Sequence, residues 1–195
     1  HTVPGGKGIN VVRVLKSLGR GGIATGFIGG CIGETILHGL VAEGIKSDFV
    51  HVGDESRLCI KVIDPKNGTQ TEVNEPGPTV STQDVERLTE KVAELLPGKD
   101  MVVLCGSCPP GMGGAFYAEV IRMARRAGVR AVLDTSGEHL AEAISAGPYM
   151  VKPNVAELSQ LAGTELCTLE EISRAAKSLK QYGVEVAAVT MGRSG

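Results

Sequence analysis

The chain has 195 residues, 42% of them hydrophobic and 22% charged, which describes a soluble globular protein and argues against a disordered or membrane polypeptide. A net charge of −2 leaves no basic footprint for DNA or RNA, and no apolar run reaches the roughly 18 residues a membrane helix needs. Aromatics make up only 3%, whereas glycine contributes 27 residues, a composition suited to many tight turns.

In chain order, the first dense feature is Pro4-Gly5-Gly6-Lys7-Gly8-Ile9-Asn10, which runs into a helical stripe of Val11, Val14, Leu15 and Leu18. An apolar run at Ile23–Ile28 follows. Between Phe49 and Val73 come three extended segments and no helix: Leu58, Ile60 and Val62 alternate with Cys59, Lys61 and Ile63, which gives a strand with two different faces. Asn67-Gly68 supplies a tight turn, and Thr69–Val73 reads as the returning strand. Ser81 and Asp84 form a capping box ahead of Val85, Leu88, Val92, Leu95 and Leu96. Further apolar runs lie at Met101–Cys105, Ala131–Asp134, Tyr149–Lys152 and Val184–Thr190, with helical stripes between them at Phe116, Val120, Ala124 and Ala127 and over Val155–Leu161. Thr168 with Glu171 repeats the box before Ile172, Ala176 and Leu179. Gly19, Gly44, Gly98, Gly128, Gly147, Gly163 and Gly183 fall where helices should stop. Strand, helix, glycine, strand is the order of an α/β fold, with a mostly parallel sheet covered by helices. The expectation is one such domain over residues 1–195, with an antiparallel β lid inserted at about 49–75.

Ligands of open α/β sheets collect beyond the carboxyl ends of the strands. Those positions hold Gly106-Ser107, Asp134-Thr135-Ser136, Lys152-Pro153-Asn154 and Thr190-Met191-Gly192. Small hydroxyls, an amide, glycines and a lysine suit oxyanions. No histidine is among them, and His1, His38, His51 and His139 fall elsewhere, so a Ser–His–Asp hydrolase is not expected. The Pro4–Asn10 glycines before a helix would let backbone N–H groups approach an anion, with Lys7 adding a full charge; alternatively they merely turn a strand into a helix. A P-loop needs Ser or Thr after its lysine, and Gly8 follows. Arg57 begins a row with Cys59, Lys61 and Ile63 on the lid strand, either a phosphate grip or a charged, protected edge. Asn154 and Glu157 share a helix face and suit a magnesium ion or its water shell, or else are plain capping residues.

The five cysteines, an odd number without framework spacing, point to a reducing cytoplasm. Cys105-x-x-Cys108 ends an apolar run and does not open a helix, so neither redox chemistry nor zinc is expected there.

Seven ordered blocks together resemble the ribokinase-like (PfkB) family of carbohydrate kinases: PGGKGIN (Pro4–Asn10), ATGFIGG (Ala24–Gly30), SRLCIKV (Ser56–Val62), TEVNEPGP (Thr71–Pro78), CGSCPPG (Cys105–Gly111), KPNVAEL (Lys152–Leu158) and VTMGRSG (Val189–Gly195). The resemblance implies transfer of the γ-phosphoryl group of ATP, with Mg2+, to a hydroxyl of a small-molecule sugar phosphate held under the β lid. By position it implies that Gly5, Gly6 and Asn10 hold sugar hydroxyls, that Lys7 and Arg57 meet the phosphate already on the sugar, and that Ser107 lines the same pocket. Lys152, Asn154 and Glu157 correspond to the nucleotide–magnesium region, with Asn154 and Glu157 on the metal, and Thr190, Gly192 and Gly195 to the start of the ATP-binding stretch. TEVNEPGP and Lys7 favour fructose 1-phosphate as acceptor, while Arg57-Leu58-Cys59-Ile60 also resembles the tagatose 6-phosphate branch. A non-catalytic sugar-phosphate-binding protein is the reading from another class.

Two departures from the family pattern matter. Many relatives carry Asn where Cys59 stands. The family's D-T-x-G-A-G-D segment, which supplies the catalytic base and anion-cradling glycines, occurs nowhere in these 195 residues, so no catalytic residue is assigned, and Asp134 lacks the accompanying glycines. The opening strand is expected to precede His1, so the chain is expected to be cut at both ends and to have little or no kinase activity by itself. The lid's exposed edge leads to the expectation of a homodimer through the Leu58–Val73 strands.

Overall fold

The computed structural model describes residues 3–195; His1 lies outside them. The chain forms two compact units, His1–Leu88 with Pro109–Met112, and Thr89–Cys108 with Gly113–Gly195. The architecture is α/β with parallel strand pairs and one antiparallel hairpin, as the sequence pattern predicts.

The first unit carries α1 (Lys7–Ser17), β1 (Ile23–Ala24), β2 (Phe27–Ile28), α2 (Gly30–Ala42), β3 (Lys46–Ser47), β4 (Val50–His51), β5 (Cys59–Asp64), β6 (Thr69–Asn74) and the beginning of α3 (Thr82–Leu95). The apolar run Ile23–Ile28 is split at Thr25-Gly26 into β1 and β2, which pair in parallel with β3 and β4 respectively. Ile9, Val12, Ala24, Leu40 and Ile45 form the core here, with Ile36 and Phe49 packed against it. The expected α1 stripe is therefore corrected: Ile9 and Val12 are buried, Val11 and Leu15 are half-buried, and Val14 and Leu18 face solvent. The hairpin β5–β6 is a two-stranded sheet of its own, in the register Ile60↔Val73 and Lys61↔Glu72. Its residues are almost all exposed.

Helix α3 starts where the capping box places it. Asp84 accepts hydrogen bonds from Ser81 N (2.9 Å) and Ser81 Oγ (2.7 Å), and Ser81 Oγ accepts from Asp84 N at 3.2 Å. These bonds, with help from Arg87, lower the Asp84 carboxyl to about 2. A carboxyl depressed by folding stabilises the native state above its ordinary pKa and loses that contribution as pH falls through the folded value. Stability is thus expected to fall between about pH 4 and pH 2, and Asp84→Asn should flatten that segment of an acid-unfolding curve followed by circular dichroism.

The second unit holds the rest of α3, then β7 (Met101–Cys105), α4 (Ala115–Arg126), β8 (Arg130–Asp134), α5 (Gly137–Ile144), β9 (Met150–Val151), α6 (Val155–Ala162), α7 (Leu169–Ser178) and β10 (Val186–Ala187). Four parallel strands run in the order β10-β9-β8-β7. Leu133, Val151, Leu140, Ile144, Val120, Ile121 and Leu158, each at most 2% exposed, fill the space around that sheet. Ala127, expected on the buried stripe of α4, is instead its exposed C-cap. The seven predicted stop glycines all have positive φ, from 60° at Gly44 to 84° at Gly183.

Candidate functional site

In the first unit the Pro4–Asn10 block forms the loop and first turn of α1. Pro4 packs on α2, where a Cβ at Gly39 would lie 2.3 Å from Pro4 Cγ. Gly6, at φ 108°, is the N-cap, a backbone geometry that a side chain would strain. Among the described residues no side chain caps this helix, and its first turn holds no acid, so its leading N–H groups and Lys7 present positive potential. Asn10 is exposed, and its Oδ1 accepts from Arg13 Nη1 at 2.8 Å, which leaves its amide protons for a ligand. Arg13 in turn grips Glu43 with two bonds of 2.6 Å. That ion pair holds Arg13 above and Glu43 below their ordinary pKa values, chiefly through the side-chain hydrogen bond. Sequence reasoning missed Arg13 because its partner stands 30 residues away.

Arg57 lies two residues before β5 begins, not within its strand. Its neighbour Ser56 is buried, with its N donating to Gly29 O at 2.9 Å and its Oγ accepting from Gly29 N at 3.0 Å. On the other side Leu58 N donates to Glu75 Oε2 at 2.8 Å, and the Arg57 stem passes Gly77, 3.7 Å from where a Cβ would be. Lys61 is paired with Glu72 at 2.8 Å, which raises the lysine and lowers the carboxylate. The expected basic row along the strand is thus neutralised at Lys61.

In the second unit the strand tips come together on one sheet edge. Cys105 is in register with Asp134, Leu133 with Val151, Val151 with Ala187, and Asn154 bridges Thr190. Cross-strand bonds extend the sheet past the strand ends: Gly106 N to Asp134 O at 3.1 Å, Lys152 N to Leu133 O at 3.0 Å, and Thr190 N to Pro153 O at 3.0 Å. Ser107, Asp134, Lys152, Asn154 and Thr190 therefore line the carboxyl edge of a single parallel sheet. Lys152 Nζ lies 3.2 Å from Asp134 Oδ1, and this half-buried ion pair ties two adjacent tips. Gly192 opens a 3-10 turn over Gly192–Ser194 with Gly195 as its C-cap, closed by a Met191 N to Gly195 O bond.

Asn154 and Glu157 form a reciprocal capping box on α6, each backbone N donating to the other's side chain at 2.8 Å. The alternative role of these two as helix caps is thus real. It engages Asn154 Oδ1 and one of the two equivalent carboxylate oxygens of Glu157. Among the described residues no group of three or more His, Cys, Asp or Glu is arranged to hold a metal. None of the five cysteines is in a disulfide, and burial pushes the Cys108 thiol up.

The whole chain, residues 1–195, matches the family of pfkB carbohydrate kinases. The chain belongs to that family. It is 38% identical over 192 residues to a 1-phosphofructokinase of Rhodobacter capsulatus, covering 98% of this chain and 61% of the relative. It is 34% identical over 194 residues to a tagatose-6-phosphate kinase of Staphylococcus epidermidis, covering 98% and 62%. In three dimensions it matches the potassium complex of phosphofructokinase-2 from Escherichia coli with a TM-score of 0.90 at 32% identity, covering 98% of this chain and 62% of that one. The same Escherichia coli protein has been solved with fructose-6-phosphate and in a tetrameric inhibited form. This pfkB chain spans about three fifths of the length of the relatives it matches. Among the described residues no helix is long and apolar enough to cross a membrane.

Proposed function

We propose that this pfkB chain carries the acceptor side and part of the nucleotide side of an ATP-dependent sugar-phosphate kinase, with fructose 1-phosphate as acceptor and fructose 1,6-bisphosphate as product. The observation that carries the reading is the alignment of Ser107, Lys152, Asn154 and Thr190 on one carboxyl edge of one parallel sheet, where ligands of such sheets bind. The 38% identity to a 1-phosphofructokinase supports this acceptor; the 34% identity to a tagatose-6-phosphate kinase makes tagatose 6-phosphate the alternative.

The roles are those that the family resemblance implies by position. In the first unit Gly5, Gly6 and the amide of Asn10 would hold sugar hydroxyls, and Lys7 and Arg57 the phosphate already on the sugar; in the second, Ser107 would bind a sugar ligand. Lys152 would meet nucleotide phosphates, with Thr190, Gly192 and Gly195 lining the nucleotide beyond it. The donor set fits magnesium held through water: the capping box leaves Glu157 Oε1 and a lone pair on Asn154, and magnesium keeps several waters in such sites. When bound, the ion neutralises charge on the transferred phosphoryl group. These residues bind and orient; none of them removes the proton from the attacking hydroxyl, and D-T-x-G-A-G-D is not spelled anywhere in the chain.

The 195-residue chain by itself is therefore expected to bind sugar phosphate yet turn over little or none. A coupled ADP-release assay with fructose 1-phosphate, fructose 6-phosphate and tagatose 6-phosphate tests this. Robust turnover would refute the assignment of no base within the chain, and sugar-phosphate binding with no turnover even in the gene's full product would favour a non-catalytic binder.

The hairpin offers a dimer contact. Leu58, Ile60, Val62 and Val73 are 39–58% exposed, and Ile60 pairs with Val73 across the strands, so one face is an apolar patch. A second copy of this chain would cover it. Light scattering is expected to give a dimer mass, reduced to a monomer by Ile60→Lys; a monomeric parent at micromolar concentration would remove the idea.

A further inference from the structure

Ser107 sits in the loop Cys105–Cys108, between β7 and the segment leading to α4, and a buried hydrogen-bond cluster that the catalytic reading does not use holds that loop. Thr135, only 2% exposed, donates from Oγ1 to Gly106 O at 2.8 Å. Tyr117, 7% exposed, brings its hydroxyl to 3.3 Å from the same carbonyl and 3.5 Å from Cys105 O. It also shares a hydrogen bond with the Cys108 side chain. Thr135 Oγ1 fills one acceptor site of the Gly106 carbonyl, and the single Tyr117 hydroxyl proton is shared among that carbonyl, Cys105 O and the Cys108 side chain. Gly106 itself has φ 94°, so this peptide unit takes a turn open to few residues.

The two donors are themselves held by close packing. Tyr117 lies in the first turn of α4, which packs on α5 closely enough that a Cβ at Gly114 would meet Glu142 Oε2 at 2.1 Å and His139 Cα at 3.2 Å. Thr135 directly follows β8, whose end is bonded to Gly106 N. Burial raises the Tyr117 phenol far above its ordinary value, so it remains a hydroxyl donor at any working pH. A rigid strand tip, a buried tyrosine and a buried threonine thus fix the one peptide unit that precedes Ser107, while Ser107 itself is exposed. Buried polar groups that are fully satisfied specify one arrangement of the atoms they hold.

We infer that Tyr117 and Thr135 are positioning residues for Ser107: by clamping the Gly106 carbonyl they set the direction in which the Ser107 N–H and hydroxyl meet an anionic sugar ligand. This inference rests on the functional reading above. Both side chains are buried, so each would act on a ligand through Ser107.

Calorimetric titration of the whole chain with fructose 1-phosphate, and separately with a non-hydrolysable ATP analogue, tests the inference. Tyr117→Phe and Thr135→Val keep the buried volume and remove one hydroxyl each. Each is expected to weaken fructose 1-phosphate by about three- to tenfold, the effect of one lost hydrogen bond, and to leave the nucleotide analogue within about twofold. Thr135→Ser should restore parental affinity. The decisive comparison is a double-mutant cycle: in a Ser107→Ala background, Tyr117→Phe should cost nothing further, because its effect travels through the residue already removed. Inorganic phosphate, run alongside, should bind more weakly than the sugar phosphate and respond to the same variants. Unchanged affinity in Tyr117→Phe and Thr135→Val, or losses that add fully to that of Ser107→Ala, would overturn the positioning role while leaving the functional reading standing. A parent chain that binds no sugar phosphate at all would overturn the functional reading, and the positioning role with it. Should Tyr117→Phe fail to fold, the Thr135→Val and Thr135→Ser pair carries the same decision.

Discussion

Lys7→Ala is expected to weaken fructose 1-phosphate binding by about 10- to 150-fold while leaving unphosphorylated fructose unaffected. Lys7 is the first residue of an 11-residue helix whose N-terminus has neither a side-chain cap nor an acid in its first turn. The open N–H groups and the helix dipole already favour an anion there, and the ammonium adds a charge-assisted hydrogen bond. Such bonds contribute about 1.5–3 kcal/mol, which converts to about 10- to 150-fold in affinity at 1.4 kcal/mol per decade. Lys7→Arg keeps the charge and should keep most of the binding. The same loss for fructose and for fructose 1-phosphate would show that Lys7 shapes the loop and does not read the phosphate.

Gly29→Ala is expected to be among the most damaging single substitutions to the fold, on the order of 3–5 kcal/mol. Gly29 is the buried N-cap of α2, and its φ of −163° is open to any residue. The obstacle is space: a Cβ would stand 2.1 Å from Asp54 O and 2.7 Å from Val52 O, both backbone atoms. Making room means pushing away the 52–56 segment, which would break the two Gly29–Ser56 bonds that anchor Arg57. Losses of that size consume a large part of the 5–15 kcal/mol typical of a domain. Urea unfolding monitored by circular dichroism measures the effect, with Gly53→Ala as control, since a Cβ at Gly53 meets nothing within 4 Å. Near-parental stability of Gly29→Ala would contradict the packing described for this loop.

What the sequence could foretell was local, and what it could not was long-range. The capping boxes at Ser81/Asp84 and Thr168/Glu171 are read from residues three apart and are present as read. The polar strand tips could be named because a parallel α/β order sends all of them to one edge. The α1 stripe failed for the opposite reason. Apolar residues lie on two faces of that helix, and which one is buried depends on partners elsewhere: Val12 and Leu15 approach Gly22, and Arg13 and Lys16 reach Glu43. Lys61 looked available as a phosphate grip because its cross-strand partner Glu72 becomes adjacent only once the hairpin register is set. Thr135 could be named as a strand-tip hydroxyl, but its bond to Gly106 O and the part played by Tyr117 left no signal, since the atom they share is a backbone carbonyl, and composition carries no trace of that.

Calorimetric titration of the 195-residue protein with fructose 1-phosphate against fructose alone tests most directly whether this chain holds a phosphorylated sugar. Saturable binding of the sugar phosphate at one site, absent or at least tenfold weaker for fructose and weakened by added salt, is the predicted result. No heat from any sugar phosphate, or equal affinity for the phosphorylated and plain sugars, would contradict it.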